Sequence, residues 1–425
     1  MSKSFTTYNL GCKVNAYELS AISSLLLAKG FKEDSNHPDI VIINTCSVTA
    51  TADQKSRQHI RKMQKLFPNA VIAVMGCYSQ GNADFIRNEI KPTILLGTSH
   101  RKDVVSLIEK ALSEGGHYQI IEENTRGFDY EELGITSYTE NVRAFLKIQD
   151  GCNNFCTYCI VPYRRGKMRS RKKENVIQEA QYLVKQGYQE IVLSGIHVGG
   201  YGQDLDNCSF SSLVKELLDI PGLKSLRISS IEESEIDDEL ISLIKDKGNL
   251  AKHLHIPLQS GANHILKLMN RKYTREQFIA KIKFIKSLVP DVMISGDVIV
   301  GFPQENQEDF LDTYKLCEEC FDMLHVFPYS LRPGTVAARM DGQVSPGIKK
   351  QRSKLLLDLS DKLYQKFAER FIGQDVTVLV EKYDQERGLN IGHTSNYISV
   401  EIPNKESMVG QYITIKLQKS MIASK

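Results

Sequence analysis

Three strand-like runs in the first third of the chain each end in a turn that carries a cysteine. Phe5 to Leu10 leads to Gly11-Cys12, Asp39 to Asn44 to Thr45-Cys46, and Ala70 to Met75 to Gly76-Cys77. Helical patterns, Ala16 to Lys29 and Asp53 to Leu66, separate them. Val41-Ile42-Ile43 and Val71 to Met75 are near-continuous apolar runs, as expected of parallel strands covered on both faces. Strand–helix–strand alternation of this kind restricts the region to a parallel α/β sheet. Right-handed crossovers put the carboxyl ends of such strands on one edge, where ligands gather. Cys12, Cys46 and Cys77 share that position at intervals of 34 and 31 residues. A single cysteine there reads as a small core residue. Three at equivalent positions, without a clear fourth ligand, suggest an iron–sulfur cluster with an open iron. Asn15 and Thr49 read as turn or capping residues beside these loops.

A second triplet lies at Gly151-Cys152-Asn153-Asn154-Phe155-Cys156-Thr157-Tyr158-Cys159, in a polar loop after the apolar strand Phe145 to Ile148. A structural zinc site needs four protein ligands, and no fourth Cys or His lies nearby. Three thiolates at this spacing suit a four-iron, four-sulfur cluster with one iron left unligated by protein. The alternative is three ordinary cysteines in a loop.

From Arg143 the strand–helix alternation restarts. Strands are expected at Phe145–Gln149, Glu190–Ser194, Ser225–Ser230, His253–Leu258, Met293–Val300 and Met323–Phe327, with helices at Glu174–Gln186, Ile236–Lys247, Arg275–Leu288 and Gln307–Glu319. Six units exceed a small doubly wound fold and fall short of an eightfold barrel, so an incomplete (β/α)6 barrel is expected, with chemistry at the carboxyl ends of its strands. Those ends carry Ser194-Gly195-Ile196-His197, Ser229-Ser230-Ile231-Glu232, Gln259-Ser260-Gly261 and Gly301-Phe302-Pro303. Each alone reads as an ordinary βα turn. Together they mark a cofactor pocket, with Ser194, Gly195, Ser230, Glu232, Gln259, Gly301, Phe302 and Pro303 as its candidate lining. His253, His255 and His325 are read as hydrogen-bonded interior histidines.

Seven of the ten residues from 164 to 173 are Lys or Arg, directly after the second triplet. Such a run is ordinarily a solvated face. Beside a reaction centre it points to a polyanion, with Arg164, Arg165, Arg169 and Arg171 as candidate phosphate contacts. A second basic stretch, Lys55 to Lys65, follows the Cys46 loop. Cys317-Glu318-Glu319-Cys320 has redox-pair spacing but shares a helical face with Phe310 and Tyr314, which favours buried packing.

The chain of 425 residues is too long for one core. Its nine cysteines, all before residue 321, are expected to be metal or redox ligands rather than disulfides. A net charge of +3 does not by itself argue for nucleic acid. No signal-peptide core occupies Met1 to Gly11 and no stretch is long enough to span a bilayer, so a cytoplasmic protein without membrane contact is expected. The expected organisation is an amino-terminal domain over 1–125, a linker over 126–141, a barrel domain over 142–371 and a small all-β barrel over 372–425. The long charged helix Lys349 to Phe371 precedes the last of these, whose strands are read at Val376–Val380, Asn396–Ile402 and Tyr412–Leu417. This final domain holds six basic and six acidic residues, so its charge does not mark it as an RNA binder.

The spacing Cys152-x3-Cys156-x2-Cys159, with Tyr158 before the last cysteine, resembles the radical S-adenosylmethionine superfamily. With Cys12, Cys46 and Cys77 added, nearly the whole chain resembles the methylthiotransferases of that superfamily, which end in a barrel called TRAM. Leu10-Gly11-Cys12-Lys13-Val14-Asn15-Ala16-Tyr17-Glu18, Ser194-Gly195-Ile196-His197-Val198-Gly199, Arg227 to Glu232, His253 to Gly261 and His325 to Ser330 look most like the branch acting on threonylcarbamoyladenosine in tRNA. Two positions depart from the family pattern. Glu233 replaces a proline, and Gln304 replaces a glycine after Gly301-Phe302-Pro303.

The resemblance implies an enzyme with two [4Fe-4S] clusters and S-adenosylmethionine. Cys152, Cys156 and Cys159 would hold the radical-generating cluster, with Tyr158 beside the cofactor, and Cys12, Cys46 and Cys77 the sulfur-delivering one. It implies tRNA as substrate and a reductant such as a flavodoxin or ferredoxin. Sister branches act on isopentenyladenosine in tRNA or on a ribosomal-protein aspartate. A reading from another class is a non-catalytic iron–sulfur redox or RNA-binding protein.

Overall fold

The computed structural model describes residues 3–122, 127, 129–134 and 142–423. The chain forms two compact units. The first comprises Met1–Gly187, Leu193–Ser209 and Ser330–Ala338, and the second Tyr188–Val192, Phe210–Tyr329 and Arg339–Lys425.

The first unit begins with an all-parallel six-stranded sheet. Its elements are β1 (Ser4–Asn9), α1 (Lys13–Ala28), β2 (Lys32–Glu33), β3 (Ile40–Thr45), α2 (Ala50–Leu66), β4 (Val71–Gly76), the short helices α3 (Cys77–Gly81) and α4 (Ala83–Phe85), β5 (Ile94–Leu96), α5 (Val104–Glu114) and β6 (Tyr118–Ile120). The strand order is β2-β1-β3-β4-β5-β6. Alternate residues of the central strands feed two separate cores. Ile40, Ile42, Ala73 and Met75 pack on one side with Leu19, Ile22 and Ile108. Val41, Ile43, Ile72 and Val74 pack on the other with Ile60 and Met63. Burial on both faces is why these strands read as apolar runs instead of alternating. β2, β5 and β6 were not legible, because two or three residues carry too little pattern. Thr49 caps α2, its Oγ1 accepting from Ala52 N at 3.1 Å.

After this sheet come β7 (Ala144–Lys147), β8 (Gln149–Asp150), α6 (Val161–Arg165), β9 (Arg169–Ser170) and α7 (Lys173–Lys185). β8 and β9 pair antiparallel. Most of the expected linker, 126–141, lies outside the described residues. Within it, Glu131 and Glu132 pair with Arg101 and Arg171 at 2.6 and 2.7 Å.

The chain passes between the units within β10 (Glu190–Ser194). The second unit then runs α8 (Phe210–Leu218), β11 (Ser225–Ile228), α9 (Asp238–Asp246), β12 (His253–His255), α10 (Asn263–Leu268), α11 (Arg275–Leu288), β13 (Met293–Val300), α12 (Gln307–Cys320) and β14 (Met323–Pro328). β12, β13 and β14 are parallel neighbours, and a parallel bridge from Ser230 to His255 joins the end of β11 to β12. Each of the six expected barrel strands is therefore present, in the α/β class anticipated.

α13 (Pro346–Glu369) starts with Ser345 as its cap and a proline in its first turn. That pairing favours initiation, because proline gives up only an N–H that would have no helical partner. β15 (Asp375–Asp384), β16 (Leu389–Thr394), β17 (Ser399–Pro403) and β18 (Tyr412–Lys416) form an antiparallel sheet ordered β17-β16-β15-β18. Tyr364 and Phe367 of α13 close its core with Val378, Val380, Ile398 and Val400. No helix of the described residues is long and apolar enough to cross a membrane.

Candidate functional site

All six motif cysteines belong to the first unit. Cys12 precedes α1, Cys46 follows β3 and Cys77 opens α3 after β4, so each stands at a carboxyl end of the parallel sheet. Tight packing brings the turns together. A side chain on Gly76 would meet Asn44 Oδ1 at 2.4 Å, and one on Gly11 would meet Asn15 Cγ at 2.4 Å. The three thiols sense one another. Burial pushes the Cys46 thiol up to about 11, and Cys77 and Cys12 add to the rise. Burial also raises the Cys77 thiol, with Arg165 opposing it. A metal centre must displace those protons before it can bind, because thiolate is the ligand.

Polar side chains tie the trio together. Asn15 does not cap α1 as its position suggested. It is buried, accepts from Cys12 Sγ at 3.2 Å and donates to Asn44 Oδ1 at 2.6 Å. Asn44 in turn donates to Glu18 Oε2 at 3.0 Å. Glu18, one turn along α1, is fully buried and receives Arg101, Lys147 and Arg165 at 3.1, 3.0 and 2.8 Å. The same three cations reach Asp150 at 3.5, 2.6 and 3.2 Å. Burial alone would raise both carboxyls, and the surrounding cations outweigh it and hold both far below the usual range.

These five side chains are 2% exposed or less. Three cations against two carboxylates leave one positive charge over. Including the less buried Arg169 and Glu131, which pair with Asp150 and Arg101, gives four against three and the same surplus. Arg165 Nε–H is directed at Cys77 Sγ, 3.2 Å away. The buried set is therefore balanced when the thiol trio carries negative charge, as thiolates on a metal–sulfide core do. No three described His, Cys, Asp or Glu side chains converge as ligands of a single metal ion. Three thiols beside a buried surplus cation are a donor set that suits an anionic, sulfur-ligated core.

The second triplet is held as firmly. Gly151 has φ +71°, and a Cβ there would lie 1.9 Å from Lys167 O. Cys152 N donates to Gly166 O at 3.2 Å, Asn154 N to Cys152 Sγ at 3.4 Å and Cys159 N to Cys156 O at 2.9 Å. Gln149, fully buried, is a residue that motif reading missed. Its Nε2 donates to Asp150 O and Gly151 O, and its Oε1 accepts from Ile196 N and His197 N at 3.0 and 2.8 Å. One amide thereby fixes the cysteine loop against Ser194-Gly195-Ile196-His197. Ala337 N bonds Thr157 O at 2.9 Å, and Tyr158 lies half-buried in the same loop. Ser194 Oγ is buried and has no hydrogen-bond partner among the described residues.

The other candidate pocket residues belong to the second unit. Glu232 pairs with Arg271. Ser230 is half-buried, and Gln259 has φ +63° with its backbone paired to Asp297 and Ile299. Gly301 and Phe302 depart from the expectation of a ligand wall. Gly301 N donates to the Glu305 carboxylate, which Arg352 also holds, and Phe302 is fully buried edge-on to Tyr329 at 5.4 Å. Pro303 is buried beside them. The departure at Gln304 is costly to the backbone, because it has φ +69°, a conformation that favours glycine. His253 and His255 share Ser295 Oγ at 2.8 and 3.1 Å, as expected of interior histidines, whereas His325 is exposed. Cys317 and Cys320 are buried, so helix packing is their role.

The second departure, Glu233, is buried next to Glu232, and burial followed by that neighbour pushes its carboxyl up to about 7. The unfolded chain ionises it near pH 4, so the native state loses stability as pH rises from about 4 and bears the full cost above 7. Glu233→Gln should therefore stabilise the chain by about 1–2 kcal/mol at pH 8, part of the charge being screened, and have little effect at pH 4. Thermal unfolding at the two pH values checks it.

The arginines read as phosphate contacts are mostly spent internally. Arg165, Arg169 and Arg171 are 0%, 7% and 3% exposed. They pair with Glu18 and Asp150, with Asp150, and with Glu132 and Glu179 respectively. Arg164 is half-buried against Gly81. A run of cations beside a loop is indistinguishable in sequence from a run that neutralises buried acids. The second basic stretch does face solvent. Lys55, Arg61, Lys62 and Lys65 on α2 are exposed, and none has a carboxylate partner among the described residues.

A parallel α/β chain with one thiol triplet at the sheet edge and another after the first barrel strand has the layout of a radical S-adenosylmethionine type of enzyme. Residues 146–317 match the Radical SAM superfamily model, 4–97 the uncharacterized protein family UPF0004 and 369–421 the TRAM domain. The chain is 42% identical to the threonylcarbamoyladenosine tRNA methylthiotransferase MtaB of Bacillus subtilis, over 97% of this chain and 93% of the relative. It is 35% identical to the protein of the same name from Aquifex aeolicus, over 92% and 95%. It is 36% identical to the tRNA-2-methylthio-N(6)-dimethylallyladenosine synthase of Thermoanaerobacter pseudethanolicus, over 96% and 89%. The chain belongs to this methylthiotransferase family. In fold it is similar to the radical S-adenosylmethionine methyltransferase TsrM of Kitasatospora setae, with a TM-score of 0.60 at 14% identity over 79% of this chain and 77% of that one. S-adenosylmethionine and two [4Fe-4S] clusters are its cofactors.

Proposed function

We propose that this chain places a methylthio group on threonylcarbamoyladenosine 3′ of the anticodon in tRNA. The observation that carries this reading is two separate thiol triplets within one compact unit, in a chain 42% identical to MtaB over nearly its whole length. The dimethylallyladenosine synthases, at 36%, are the second reading.

Cys152, Cys156 and Cys159 would hold the cluster that works with S-adenosylmethionine, and Cys12, Cys46 and Cys77 would hold the second. When bound, the first cluster and S-adenosylmethionine supply one-electron chemistry, which an adenine carbon inert to acid–base attack requires. Around them the chain does the positioning. Gly151 allows the backbone to lie against Lys167, Gln149 fixes the loop to the following strand end, and Ser194 offers a buried hydroxyl. Tyr158 and Gly195 of the same unit remain candidates for contact with S-adenosylmethionine. A flavodoxin or ferredoxin supplies the electron, and the reaction takes place in the cytoplasm.

Binding of tRNA phosphates falls to α2. Its exposed cations, Lys55, Arg61, Lys62 and Lys65, lie on the helix that follows the Cys46 loop. Changing all four to glutamine should weaken binding of an anticodon stem-loop. It should also flatten the slope of log affinity against log salt by about 0.7–0.9 for each phosphate no longer neutralised. An unchanged slope would remove α2 from the RNA surface. The substrate assignment itself is tested by digesting tRNA to nucleosides with and without the enzyme. Loss of methylthiolated threonylcarbamoyladenosine on deletion supports it, and loss of the methylthiolated dimethylallyl nucleoside selects the second reading.

A further inference from the structure

We infer that Arg165 is a positioning residue that tunes the reduction potential of the Cys12–Cys46–Cys77 centre and ties that centre to the other cysteine loop. The inference rests on the assignment of that trio as cluster ligands.

Arg165 ends α6, the helix directly after the Cys152–Cys159 loop. Its guanidinium is fully buried and divided between two tasks. One edge donates to Glu18 at 2.8 Å and to Asp150 at 3.2 Å. Nε–H donates to Cys77 Sγ at 3.2 Å. Asp150, on the other side, accepts from Gly151 N at 2.9 Å, the residue before Cys152. The backbone after Arg165 closes the same loop, through Gly166 O and Cys152 N. One side chain thus joins a sulfur of one trio to the support of the other. Through Glu18, Asn44 and Asn15 the same network continues to Cys12.

Hydrogen bonds to ligand sulfurs, net charge and burial set the potential of an iron–sulfur cluster. A buried cation bonded to a ligand sulfur favours the more negative, reduced state and so raises the potential. Arginine suits this place because its planar fork can serve carboxylates and a sulfur at once, which a lysine ammonium cannot do with fixed geometry. The surplus positive charge of the buried set points the same way, since it is matched when the ligated trio is anionic.

The test uses the full chain with Cys152, Cys156 and Cys159 changed to alanine, so that only the second centre contributes a signal. After anaerobic reconstitution, a redox titration followed by electron paramagnetic resonance gives its potential. Arg165→Gln should retain iron and shift the potential downward, because it leaves Arg101 and Lys147 balanced by Glu18 and Asp150. Arg165→Lys keeps the charge but loses the Nε–H bond and should shift it downward by less. It carries the test if the glutamine variant does not accumulate. An unchanged potential in either folded, iron-loaded variant overturns the inference while leaving the cluster assignment standing. Absence of any cluster in the parent overturns the assignment and the inference with it.

Discussion

Cys46→Ala still forms 5′-deoxyadenosine from S-adenosylmethionine but makes no methylthiolated nucleoside, whereas Cys156→Ala makes neither. The separation follows from where the two trios stand. Cys46 closes β3 at the edge of the amino-terminal sheet, and Cys156 lies in the loop after the first barrel strand. If each trio holds its own centre, losing one ligand of the second removes sulfur delivery without touching the site that binds S-adenosylmethionine. Quantifying both products by chromatography after anaerobic assay checks it. Methylthiolated nucleoside at wild-type yield from Cys46→Ala would show that the Cys12–Cys46–Cys77 trio has no part in the transfer.

Glu18→Leu should cost about 3–5 kcal/mol, because it leaves three buried cations with Asp150 as their only fully buried carboxylate. A surface comparison fixes the scale. Lys3 and Asp39 pair at 3.0 Å but are 52% and 36% exposed, so Lys3→Met should cost less than about 1 kcal/mol. Calorimetry of the two variants tests the difference. Glu18→Leu unfolding at the temperature of Lys3→Met would mean that the buried network does not hold the first unit together. Glu18 also shows how stability and function share residues here, since the carboxylate that balances Arg165 also orients the asparagines behind Cys12.

Much of this is legible in the amino-acid sequence. Cys12, Cys46 and Cys77 could be placed together because parallel strands with helical crossovers leave their carboxyl ends on one edge, a rule that needs only the apolar runs and their spacing. Residues 293–300 and 275–288 were bounded as found, since long periodic segments carry strong signals. The failures have a common physical cause. Arg165, Arg169 and Arg171 read as phosphate contacts, yet they are taken up by acids that the run itself does not reveal, Glu18 and Glu132 from far along the chain and Asp150 and Glu179 from its two flanks. Asn15 read as a cap because its bond to Asn44, 29 positions away, leaves no local trace. Gln149 and Glu18 went unseen for the same reason. Phe302 read as a pocket wall because proximity to a strand end does not say which way a ring turns, and it turns inward onto Tyr329.

Iron and acid-labile sulfide content tests the central claim most directly. The reconstituted full chain should hold about eight irons, and each triple alanine variant, at Cys12, Cys46 and Cys77 or at Cys152, Cys156 and Cys159, about four. About four irons in the parent, unchanged by one of the two triple substitutions, would contradict it.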